Sequence, residues 1–225
     1  MLEKHLNYPF KLDIDTWKRH DLGLFLITDF TFILLHIIFT HTRFISDYAF
    51  SLEADRGYSE FFQYIKEYWI AILLVFLAIR ARSFLYLSWS FLFFYLFLDD
   101  SLEIHENVGA YLSNQLNFIP LFNLRLEDFG EILVSASACL IFGTFIAISY
   151  RFGDRIFRQI SKTLIKLLLA LAFCGILIDI VHVIFNNSFI ETLLVIVEDG
   201  GELIIMSLIA CFTLSLFEHS RYKSY

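Results

Sequence analysis

Residues 84–109 read FLYLSWSFLFFYLFLDDSLEIHENVG. Through Leu98 the run is as apolar as a membrane span. Asp99, Asp100, Glu103, His105 and Glu106 then follow within eight residues, with no Lys or Arg nearby. A helix that ends in so much negative charge needs a neutraliser, and the rest of the chain has to supply it.

Composition fixes the surroundings. Of 225 residues, 58% are hydrophobic, 18% are charged and 27 are Phe, and mean hydropathy is +0.65. A soluble domain carries about a quarter of its residues charged. Apolar runs close to the length that crosses about 30 Å of hydrocarbon make this an all-α, polytopic membrane protein, since helices satisfy their own backbone in lipid. The net charge of −7 argues against nucleic acid, which wants a basic surface. Cys139, Cys174 and Cys211 fall in apolar segments without metal-ligand spacing and read as small buried hydrophobes.

Six spans are expected, at roughly 21–42, 67–82, 83–106, 128–150, 163–186 and 191–217. Residues 1–20 form a mixed-charge segment before them and 218–225 a short tail. Lys and Arg set the orientation. Lys4, Lys11, Lys18 and Arg19 precede the first span, Arg80 and Arg82 occupy the second turn, and Arg151, Arg155, Arg158 and Lys162 fill the fourth. Both termini are therefore expected in the cytoplasm, with the bacterial inner membrane as the location and the bilayer as partner. A homo-oligomer stays open. Between the first two spans, residues about 52–66 are expected as an interfacial helix on the outer leaflet, with a lid as the alternative.

Two short matches, EDFGE at 127–131 and EDGGE at 198–202, each lead into an apolar helix. They predict that spans three and four repeat as spans five and six, in parallel. This topology brings ionisable groups from five spans to one level in the outer half of the bilayer. Asp99, Glu103 and Glu106 share a helical stripe, and Glu198 with Glu202 and Asp179 with His182 are each one turn apart. With no Lys or Arg expected among them, protons or a cation must hold the carboxylates together.

His beside carboxylates suits Zn, Fe or Mn. The expected ligands come from Asp99, Glu103, His105, Glu106, Asp179, His182, Glu198 and Glu202, supported by Asp29, His36, Asp100, Glu131 and Asp199. The segment LDDSLEIHE resembles a Leu-Asp-Glu-x-x-x-Ile-His-Glu motif of uncharacterised bacterial multipass membrane proteins. Leu98, Asp99, Ile104, His105 and Glu106 match it, and Asp100 replaces its Glu. The resemblance implies no activity; it marks Asp99, His105 and Glu106 as more than incidental. The leading expectation is a divalent-metal site of an intramembrane hydrolase or oxidase acting on a lipid-phase substrate. The rivals are a proton- or cation-translocating protein using the same carboxylates and a non-enzymatic sensor or scaffold.

Overall fold

The computed structural model describes residues 19–116, 126–178 and 188–222. Among the described residues there are seven α-helices: α1 Arg19–His41, α2 Tyr58–Ala81, α3 Phe84–Leu102, α4 Ile104–Leu116, α5 Leu126–Phe152, α6 Arg155–Ala172 and α7 Ser188–Tyr222. A 3₁₀ turn at Tyr48–Phe50 and a π-helical segment at Phe173–Ile178 complete the described elements, and no strand occurs among them.

Among the described residues, four helices are long and apolar enough to cross a membrane, over Asp21–His41, Tyr58–Ala81, Phe129–Phe152 and Thr192–Ser220. The membrane-protein expectation thus holds at that level. The third and fifth expected spans are helical over most of their described length but stand outside these four. Asp99 and Asp100 close the apolar run of α3, and α6 carries Arg155, Arg158, Lys162 and Lys166.

The core is a helix hairpin laid on α7. Ile70 and Leu74 of α2, Trp89 and Phe93 of α3, and Met206, Ile209 and Phe212 of α7 are fully buried together, with Ile160 and Leu164 of α6 closing one side. Trp89 Nε1 donates to Ser161 Oγ at 3.0 Å, so the largest core side chain has its polar edge satisfied. Of the three cysteines only Cys211 is buried in this way; Cys139 is exposed on the outward side of α5.

The α2–α3 connection is the tight turn that the arginines at 80 and 82 predict. Arg82 closes α2 in the left-handed region, φ 49°, its N–H donating to the Ala78 carbonyl. This turn lies beside the α5–α6 turn, where an added Cβ at Gly153 would meet Leu85 Cδ2 at 3.3 Å. Both arginine-bearing turns therefore occupy one end of the bundle, and α3 runs from that end to Asp99 and Asp100 at the other.

Two sequence expectations are corrected here. No separate helix covers 52–66. The chain makes a turn at Ala54–Gly57, where a side chain on Gly57 would meet the Ala54 carbonyl at 2.7 Å, and one helix then runs unbroken from Tyr58 to Ala81. Gln63, Lys66 and Glu67 give this stretch a surface-like appearance in sequence, yet Lys66 and Glu67 are buried. The stripe of Asp99, Glu103 and Glu106 is also broken. Glu103 takes a left-handed conformation, φ 53°, ending α3, and α4 starts a new direction at Ile104.

Candidate functional site

The break at Glu103 is built by its neighbours. Asp99 Oδ1 accepts the backbone N–H of His105 at 2.9 Å, capping α4 much as an N-terminal Asp caps any helix. Asn107 Nδ2 donates to the carbonyls of Leu102 and Glu103, at 3.3 and 2.8 Å, absorbing acceptors that the end of α3 leaves open. Glu103 itself turns away and pairs with Arg56 at 2.9 Å. That partner makes Glu103 the weakest of the expected ligands.

Asp99 uses its second oxygen on the same residue it caps. Asp99 Oδ2 lies 3.2 Å from His105 Nδ1. This carboxylate raises the His105 ring to about 9, against the opposing effect of burial. Asp100 completes the group: one ligand atom each from Asp99, Asp100 and His105 lie within 4.8 Å of one another. These are one nitrogen and two carboxylate donors, a set that fits Zn, Fe or Mn. A cation here would take the place of the His105 proton.

Asp100 faces inward as well. Its carboxyl stands within hydrogen-bonding reach of Glu67 and of the Gln63 amide, and Gln63 also reaches Glu202. Glu67 is buried, and neither of its oxygens receives a hydrogen bond from a described protein donor. Two carboxyls in contact inside a bundle are held by a shared proton or a cation, because bare like charges in low dielectric repel by several kcal/mol. Glu202 has its own accommodation in the fold. An added Cβ at Gly175 of the π-helical segment would overlap Glu202 Oε1, so the glycine leaves space for that carboxyl in its present position.

Gln63, Asp100, His105, Gly175 and Glu202 line a cavity of about 600 Å³ between α2, α3, α4, α5, the π-helical segment and α7. Nine of its sixteen described lining residues are Asp or Glu, and none is Lys or Arg. Asp100, His105, Glu106, Glu131, Glu198, Asp199 and Glu202 all face it, as do Glu53, Asp55 and Glu60 from the loop and α2. Burial pushes the Glu106 carboxyl up from its usual range. Asp179 and His182 lie outside the described residues. π-Helical turns within helices recur at functional sites, and this one carries Gly175 to the cavity wall.

Asp29 and His36 are buried but elsewhere. Lys66 Nζ lies 3.2 Å from Asp29 Oδ1 and donates to the Leu203 carbonyl at 2.7 Å and to Ser207 Oγ at 3.1 Å. Ser207 in turn donates to Asp29 Oδ2 at 2.6 Å. The expectation of no cation among these helices is therefore corrected: Lys66 neutralises Asp29 completely inside the bundle. His36 Nδ1 accepts the Leu52 N–H at 3.2 Å and lies 3.2 Å from Ser51 Oγ, fixing the loop that roofs the cavity.

A protein-family model described as Domain of unknown function (DUF8692) matches residues 24–216. The chain belongs to the DUF8692 family. The matched region reaches from α1 into α7 and includes every cavity-lining residue as well as the Asp29–Lys66 pair. Neither a curated protein nor a solved structure matches this DUF8692 chain.

Sequence reasoning missed Gln63, Glu67 and Lys66. Their signal was present: polar residues at 63, 66 and 67 follow helical spacing within a stretch that has no Gly or Pro from 58 to 81. Reading the segment as one helix would have turned them inward.

Proposed function

We propose that the cavity binds a divalent transition-metal ion through Asp99, Asp100 and His105, and that the protein is an intramembrane metal-dependent enzyme acting on a substrate from the lipid phase. The observation that carries this reading is the convergence of those three donors, within 4.8 Å of one another, at a cavity that Asp100 and His105 line with eight further carboxylates and no described Lys or Arg. A bound Zn, Fe or Mn ion supplies a Lewis acid and an activated water or oxygen. The chain supplies the rest: Asp99 orients the His105 ring, Gln63 lines the cavity with Asp100 and Glu202, and Glu106 and Glu202 are spare carboxylates able to carry a proton. Six crossings, with the arginine-bearing turns in the cytoplasm and two parallel repeats, complete the reading. In support of the repeat, both Glu-Asp-x-Gly-Glu copies set their glycine against a preceding helix, Gly130 on Gly109 and Gly201 on Cys174.

Metal analysis of the detergent-purified protein tests it. Wild type should carry transition metal in near-stoichiometric amount, and Asp100→Asn and His105→Ala should each lose most of it while keeping the wild-type helical content. A wild type that stays metal-free after incubation with Zn, Fe and Mn sinks the proposal.

One observation favours a second reading, cation or proton translocation. Buried Glu67 feels the charges of Asp100 and Glu202 on the cavity side and of Lys66, the partner of Asp29, so ionisable groups extend from the cavity toward the middle of α1. Flux into proteoliposomes that Glu67→Gln abolishes would favour this reading over an enzyme.

A further inference from the structure

The end of the bundle opposite the acidic cavity carries a site of the reverse sign. Arg155, Arg158, Lys162 and Lys166 follow one another at i, i+3, i+7 and i+11 on α6, all of them exposed. They form one stripe, and the buried residues Ile160, Ser161 and Leu164 occupy the other face, held against the core. In a chain of net charge −7, this is a concentration of positive charge that the fold places deliberately.

The stripe borders a cavity rather than a plain surface. A hollow of about 610 Å³ is lined by Arg155, Arg158, Gln159 and Lys162 of α6, by Tyr150 near the end of α5 and by Gly153 and Asp154 of the turn. Three cations face one carboxylate there. Arg158 is already fixed: its Nε donates to the Gly153 carbonyl at 2.7 Å, its Nη2 to the Arg151 carbonyl at 3.1 Å, and its guanidinium lies 5.8 Å from the Tyr150 ring centre. That network fastens the turn and sets the neighbouring Arg155 and Lys162 beside a ready-made hollow. From the same turn descends the outward side of α5, where Leu140, Ile141, Phe145, Ile148 and Phe152 are all exposed.

Cations above an apolar helix face make an amphiphilic site. We infer that the α5–α6 turn binds the phosphate headgroup of an anionic phospholipid, with the acyl chains along α5. Charge complementarity selects the headgroup, and the uncovered apolar side of α5 selects a lipid over a free phosphate. The inference stands apart from the metal reading, since it uses none of the cavity's residues and lies at the far end of α3.

Thermal unfolding of the full chain in neutral detergent tests it, with phosphatidylglycerol, phosphatidylcholine or inorganic phosphate added. Phosphatidylglycerol should raise the midpoint and the other two should not. Arg155→Gln with Lys162→Gln should weaken phosphatidylglycerol binding roughly 25-fold, since each cation near an anionic surface contributes about 1 kcal/mol. Arg43→Gln, at an exposed position on the cavity end, should leave that binding unchanged. An equal shift with phosphatidylcholine or with inorganic phosphate overturns the inference, as does a double variant that binds phosphatidylglycerol like wild type.

Discussion

At Lys66 the ammonium is enclosed by Asp29, the Leu203 carbonyl and Ser207, and its Nζ lies 4.7 Å from the centre of the Phe62 ring. All three of its protons have acceptors, and both Asp29 oxygens have donors. A buried pair so arranged is costly to break rather than costly to keep, because removing one partner strands the other charge. Lys66→Met should therefore destabilise the protein by about 3–5 kcal/mol, and Lys66→Met with Asp29→Leu by much less. Unfolding in denaturant, followed by circular dichroism, reads both. Equal losses in the single and double variants would show that the pair is not the unit holding α1, α2 and α7 together.

Helices meet closely where glycine allows it. An added Cβ at Gly109 of α4 would stand 2.6 Å from the Glu131 backbone nitrogen, and one at Gly130 of α5 would run into the Gly109 carbonyl. This crossing sets Glu131 beside Glu106 at the cavity wall. Gly130→Val should lower stability by about 1–3 kcal/mol, because backbone on the other side cannot yield as a side chain would. Gly143→Val, farther along α5 where nothing lies within 4 Å, should leave the melting midpoint near that of wild type. Comparing the two melts checks whether the crossing, rather than glycine content, governs the element.

Across the whole molecule charge is polarised. Acidic groups gather at the cavity end of α2, α3 and α7, and the arginines of the α2–α3 and α5–α6 turns gather at the other. Single cysteines at Arg80, Arg155 and Asp47, in a chain whose three native cysteines are replaced by Ser, should report this in sealed vesicles. Arg80→Cys and Arg155→Cys should react with an impermeant maleimide from one side, and Asp47→Cys from the opposite side. Labelling of all three from a single side would contradict the orientation read from the positive charges.

Composition and periodicity by themselves determined the class of molecule: apolar helices, arginine-bearing turns at 80–82 and 151–158, and a meeting of Asp100, His105, Glu106, Glu198 and Glu202. These are legible because hydrocarbon-length runs and local spacing act over one helix at a time. Which polar groups neutralise one another was decided by tertiary structure alone. Glu103 found Arg56 and Asp29 found Lys66, across distances of 47 and 37 residues. Partners that far apart come together only when helices pack, and burial then makes each unmatched charge expensive enough to select its mate.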